Sequence, residues 1–219
     1  MLTRLAALAA VSLVPLAVAA PAQAAGSCSI SVPSKVSVSS PTRDLTATFS
    51  AGCSKYAVDA WWGVMTPAGE YAEMFHFDGA RTDTIEWYDV NRTGTFRVQA
   101  DEAYDEAHDL VPQNSTSMSV RFASRTAVTS TRSGSTVSVT ATTSRYAWSA
   151  SAFRPWAGAK ATLESRKCST CAWTPIKTST TSTKGVLTLT AYASTARSWR
   201  VVTADTPSTW GKVSSTTTR

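Results

Sequence analysis

The chain has 219 residues, 43% of them hydrophobic, with a formal net charge of +6, four cysteines and only two histidines. That length suits one large or two small domains, and the apolar share is ordinary for a chain that buries a core. Ser and Thr are abundant and few stretches repeat at helical spacing, which excludes βαβ folds and points to strands and turns.

The first 24 residues read as a signal peptide, cleaved after Ala24. Arg4 supplies the positive start, residues 5–20 are uncharged and apolar but for Ser12 and Pro15, and Ala22-Gln23-Ala24 gives the small-x-small cleavage pattern. A membrane anchor is the alternative, but about 16 apolar residues fall short of the roughly 20 a span needs. A lipid on Cys28 is a further alternative, and the apolar run ends well upstream of it. The C-terminal Ser-Ser-Thr-Thr-Thr-Arg carries no apolar tail, so the expectation is a secreted, extracellular protein without a transmembrane anchor. An oxidising compartment favours disulfides, and the expected pairs are Cys28 with Cys53 and Cys168 with Cys171. The longer loop should stabilise by about 3 kcal/mol and the shorter by less. Zinc would need a second CxxC or paired histidines beside Cys168-Ser169-Thr170-Cys171, and the sequence has neither. A redox CxxC belongs at a strand-to-helix junction, whereas this one falls between two strand-like runs and reads as a hairpin clip.

In chain order, period-two alternation predicts strands over 36–40 and 45–50, then 57–65 with Val58, Ala60, Trp62 and Val64 on one face. Thr66-Pro67-Ala68-Gly69 is turn chemistry. Residues 70–77 return with Tyr71, Phe75 and Phe77 on one face, followed by 82–88, 95–101 and 118–123. A second set begins at 127–131 and 136–143, separated by Arg132-Ser133-Gly134. Residues 144–158 read as a long loop carrying Tyr146, Trp148, Phe153 and Trp156. Strands over 161–167 and 172–180 make the CxxC hairpin, and 186–190, 199–203 and 211–217 finish the set. About seven short strands per 95 residues, with turn signals every 8–12, is a sandwich pattern. The expectation is an all-β chain of two tandem sandwich domains, 25–123 and 124–219.

The second half resembles the immunoglobulin/fibronectin-III-like modules of secreted and wall-associated actinobacterial proteins. The residues that carry the likeness are Arg132-Ser-Gly-Ser-Thr-Val, Trp156-Ala-Gly-Ala-Lys-Ala-Thr-Leu, Trp173, Lys184-Gly185 and Ser198-Trp-Arg-Val-Val. It covers roughly residues 126–219; the first half resembles the same superfamily only loosely. The chain departs in having Ala161 and Leu163 where the family has Val and Leu, and in adding the CxxC clip. The resemblance implies two immunoglobulin-like β-sandwiches and no particular activity.

The halves are electrostatic opposites. Residues 25–123 hold 7 Lys/Arg against 13 Asp/Glu, a balance of −6, and residues 124–219 hold 13 against 2, a balance of +11. Three readings follow: the domains attract each other, the basic domain faces an anionic polymer or carbohydrate, or the surfaces are merely soluble. The polymer reading places its site on Arg145, Tyr146, Trp148, Arg154, Trp156 and Lys160, where cations interleave with aromatic rings that could stack on sugars or bases.

Catalysis finds little support. Both histidines, His76 and His108, lie in the acidic half, no Gly-x-Ser-x-Gly elbow occurs, and no residue is singled out as catalytic. The acid-rich run 101–109 offers Asp101, Asp105 and Asp109 as candidate Ca²⁺ ligands, with Asp78 as a neighbour, but lacks the glycine and terminal Glu of an EF-hand loop; a solvated loop is the plain reading, and no other cofactor is implied. Nucleic-acid-binding motifs are absent. Asn91-Arg92-Thr93 and Asn114-Ser115-Thr116 match a glycosylation sequon. The function expected is a non-catalytic binding or structural module at the cell envelope, with a secreted inhibitor or accessory protein acting on a protein partner, or an extracellular Ca²⁺-binding protein, as the alternatives.

Overall fold

The computed structural model describes residues 27–50, 53, 57–91 and 93–219. The expected signal peptide and Arg92 of the first sequon lie outside the described residues.

Alternating apolar side chains build the first sandwich as expected. Its strands are β1 (Ile30–Ser31), β2 (Lys35–Val38), β3 (Thr42–Phe49), β4 (Asp59–Met65), β5 (Tyr71–Asp78), β6 (Thr82–Tyr88), β7 (Gly94–Tyr104) and β8 (Thr116–Phe122). They form a three-stranded sheet, β1-β3-β6, and a five-stranded sheet, β2-β8-β7-β4-β5. Leu45, Ala47 and Phe49 of β3 meet Ala60, Trp62 and Val64 of β4 in one buried cluster. Phe49 stacks on Phe77, with ring centroids 4.4 Å apart, and Trp62 meets both edge-on. The Trp62 indole nitrogen donates to the Asn114 carbonyl at 2.8 Å, so this large ring is buried without an orphaned donor. The Cys28–Cys53 disulfide lies in the same cluster.

The second sandwich comprises β9 (Ser124–Ser133), β10 (Thr136–Ala147), β11 (Ala152–Pro155), β12 (Lys160–Arg166), β13 (Thr174–Thr180), β14 (Val186–Tyr192), β15 (Ser198–Thr203) and β16 (Thr217–Thr218). One sheet runs β11-β10-β14 with β9 also on β10, and the other runs β13-β12-β15-β16. Val137, Val139, Leu163, Leu189, Trp199 and Val201 fill the space between them. Two sheets face to face in each half, nearly all antiparallel, make this a tandem pair of immunoglobulin-like β-sandwiches. The chain passes from β8 to β9 through Ala123 alone.

Four expectations need correction. Residues 144–158 are not a loop: β10 runs on to Ala147, a single 3₁₀ turn covers Trp148–Ala150, and β11 returns against β10 as a hairpin. Tyr71 does not share the inward face of Phe75 and Phe77, because a bulge between Val64 and Met65 puts Met65 opposite Tyr71 and turns that ring to solvent. Residues 211–217 pair as a strand only at Thr217–Thr218, and Val58 lies outside β4 and is exposed.

Candidate functional site

The six residues expected to bind polymer do not form one surface. Tyr146 points inward from β10 and is 2% exposed, and Trp156 is 4% exposed. The carbonyl of Trp156 is held by the Thr181 and Thr143 hydroxyls, at 2.5 and 3.3 Å. The aromatic half of the expected surface is therefore structural, with Trp148, 53% exposed on the 3₁₀ turn, as the exception. The reason is hairpin parity. Tyr146 faces Phe153 across the β10–β11 ladder, and both turn toward the first domain's cluster. Arg145 faces Arg154 on the other side, and both are exposed. Lys160 begins β12 and is exposed, pairing with Thr180.

Tyr146 is a joint between the domains. Its phenol donates to the Asp89 carboxylate at 2.7 Å, and the Ser151 hydroxyl reaches the same oxygen at 3.5 Å. Asp89 is only 6% exposed although it belongs to the other domain. Burial first, and then the bond to Asp89, push the Tyr146 phenol above the ordinary tyrosine value. Arg125 lies over the Phe153 ring at 3.7 Å and covers this side of the junction.

Trp210 closes the other side. Its indole nitrogen donates to the Val36 carbonyl at 2.7 Å, its amide to Phe122 at 2.9 Å, and its own carbonyl accepts from the Ser124 hydroxyl at 2.6 Å. Lys35 and Arg121 each lie 4.0 Å from the ring centroid. Arg121 also bonds the Thr206 carbonyl at 2.9 Å and approaches Asp205 at 3.7 Å. That ion pair joins a cation of the acidic domain to an acid of the basic one. Among the described residues it is the one salt bridge between the domains. Neither Asp89 nor Trp210 was singled out from the sequence, where a lone Asp after Tyr88 and a Trp in a polar tail give no periodic signal.

The charge of the second domain is left without internal partners. Of its thirteen Lys and Arg, Arg200 alone pairs with an Asp or Glu among the described residues, Glu164, at 2.7 Å. Arg132 instead binds the Ala193 and Thr195 carbonyls, at 2.7 and 2.9 Å. Arg145 and Arg154 oppose each other directly, an arrangement that repels. Around the clip, formed by the Cys168–Cys171 disulfide, the Trp173 ring lies between the guanidinium groups of Arg166 at 4.6 Å and Arg200 at 4.2 Å.

The acidic run does not gather as a metal site. Asp101 lies at the outer face of β7, whereas Asp105 turns its carboxylate onto the amides of Ala107 and Asp109, at 2.9 Å each. His108 adopts the left-handed conformation (φ 64°) that closes this turn. Among the described residues no group of three or more His, Cys, Asp or Glu side chains is placed to hold a metal. His76 bonds Asp59 at 2.7 Å and lies flat on Trp61, centroids 4.8 Å apart, on the outer face of the five-stranded sheet. No helix among the described residues is long and apolar enough to cross a membrane.

No family model matches the chain, and no curated protein matches it. Among solved structures it is similar to the D0-D1 domain of Intimin, at 13% identity over 89% of this chain and 97% of that one, with a TM-score of 0.29. The three N-terminal domains of the bacteriophage RB49 Highly Immunogenic Outer Capsid protein align at 14% identity, over 88% of this chain and 67% of theirs, with a TM-score of 0.32. At these identities and scores no function follows from either likeness.

Proposed function

We propose that the chain is a secreted, non-catalytic binding module of the cell envelope whose basic second domain holds an anionic polymer or carbohydrate. One observation carries this reading: twelve of the thirteen cations in residues 124–219 have no Asp or Glu partner among the described residues, and the domain junction uses none of them in an ion pair with the acidic domain. Unpaired surface cations of one sign attract polyanions and raise their local concentration. Arg145 and Arg154 sharpen the point, because a directly opposed like-charged pair is unfavourable until an anion lies across it. Exposed Trp148 adds a ring beside them. The two disulfides fit the extracellular setting.

Co-sedimentation of the mature protein with isolated cell-wall polymer, across increasing salt, tests the reading. Binding should weaken as ionic strength rises from about 0.05 to 0.5 M, since the Debye length shrinks below about 5 Å over that range. No pelleting at low salt, or pelleting indifferent to salt, would overturn it.

A further inference from the structure

The hairpin clip encloses a second feature that the expected site did not include. A cavity of about 300 Å³ opens beside the Cys168–Cys171 disulfide, lined by Arg166, Lys167, Arg197, Cys171, Thr174 and Ile176 among others. Three of its lining residues are cations and none is an acid. The nearby carboxylate, Glu164, is already engaged by Arg200 at 2.7 Å. The Nε atoms of Arg166 and Arg197 are both buried, and neither has a hydrogen-bond partner among the described residues.

Buried polar groups are ordinarily bonded, and leaving a charged donor unmade is costly. Both donors belong to residues that line one cavity, whose walls therefore carry positive charge that no carboxylate of the lining answers. Arg166 is also held in place. Its Nη1 donates to the Ser169 carbonyl inside the clip at 2.6 Å, and its guanidinium lies over the Trp173 ring. The disulfide fixes the turn that carries Ser169, so the clip positions the guanidinium as well as closing the hairpin. Planar guanidinium groups match oxyanions bidentately, and a lysine beside them adds a point charge.

We propose that this cavity binds a phosphate group, as the anchor for a phosphate-bearing polymer; the inference rests on the polyanion reading of the second domain and adds a contact at the clip to the cations of the β10–β11 hairpin. A phosphate fits better than a carboxylate because three cationic residues line the cavity and a phosphate offers more acceptor oxygens, over a wider angular range, than the two of a carboxylate.

Calorimetric titration of the mature protein with long-chain inorganic polyphosphate tests this, using two variant pairs of equal charge change. Arg166→Gln with Arg197→Gln should weaken binding at least tenfold. Lys177→Gln with Lys184→Gln, both exposed on the same domain and outside the cavity, should weaken it less than threefold. Equal losses in the two pairs would overturn the clip site while leaving the polyanion reading intact. Absence of polyphosphate binding by the wild type would overturn both. Inorganic phosphate, matched for ionic strength with chloride, should compete with polyphosphate on the wild type. No competition would overturn the assignment of a phosphate group, and equal affinity for phosphate and polyphosphate at the same phosphorus concentration would overturn the polymer. Arg166→Lys keeps the charge and removes the planar fork. It should retain the wild-type fold and still bind severalfold more weakly, so the site remains testable if the glutamine pair does not fold.

Discussion

Single side chains decide which parts of the polymer-binding hypothesis survive. Tyr146 and Trp148 are two residues apart and equally aromatic, yet one is buried against another domain and the other faces solvent. Tyr146→Phe removes the donor to a buried carboxylate, so it should cost about 1.5–3 kcal/mol of unfolding free energy. Trp148→Ala should stay within about 0.5 kcal/mol. Urea denaturation of both variants checks the contrast, and equal small losses would show that the Asp89 bond contributes nothing. The bond also has a pH signature. The Tyr146 phenol is raised in the folded state, so its contribution is fully present below the unfolded value of about 10 and is lost as pH climbs through the higher folded value. The stability gap between wild type and Tyr146→Phe should therefore be flat near neutrality and narrow in the alkaline range above pH 10. A gap that narrows on acidification instead would contradict this assignment. Gly185 shows how little room some turns leave: it has φ 71°, and a Cβ there would meet the Thr143 carbonyl oxygen at 2.3 Å.

Individual elements show where strand periodicity is a faithful guide. β6 and β15 alternate more and less buried residues along their whole length, and β3 does so from Leu45 to Phe49, the stretch legible in the sequence; Thr42, Arg43 and Asp44 extend β3 with three exposed residues in a row that carry no alternation. The β4–β5 hairpin departs from simple alternation at Tyr71 because a bulge adds one residue to one strand, which no local pattern announces. The β10–β11 hairpin has no strand signature at its turn, because that turn is a 3₁₀ segment ending at Ser151 in the left-handed conformation, without glycine. The two disulfides belong at this scale as well. Cys28–Cys53 closes a separation of 25 residues and Cys168–Cys171 one of 3. Loop-closure entropy therefore gives the first about 3 kcal/mol and the second under about 2 kcal/mol. Cys28→Ser with Cys53→Ser should lower Tm by clearly more than Cys168→Ser with Cys171→Ser. A larger loss from the clip would mean that it supports much more than its own turn.

For the molecule as a whole, the junction makes one unit of two domains. Trp210 binds the backbone of β2 and β8, and Tyr146 sits in the first domain's cluster, so each domain completes part of the other's boundary. Heating should therefore produce one calorimetric transition. Trp210→Ala should remove about 1–3 kcal/mol and split the trace into two transitions. Two transitions already present in the wild type would show the junction to be weak.

The sequence by itself determined the class of the protein and its electrical character. Strand alternation, turn residues, cysteine spacing and the division of charge between the halves are all local or additive properties, and they can be counted along the chain. Tertiary structure decided which of the marked residues are available to a ligand. Arg145, Arg154, Arg166 and Arg197 read alike in sequence, as do Tyr146 and Trp148. Their roles separate only when strand parity and the docking of a second domain set which side chains are desolvated and which keep an unmatched charge. Burial and pairing depend on residues far away in the chain, Asp89 for Tyr146 and Val36 for Trp210, and no local pattern encodes them.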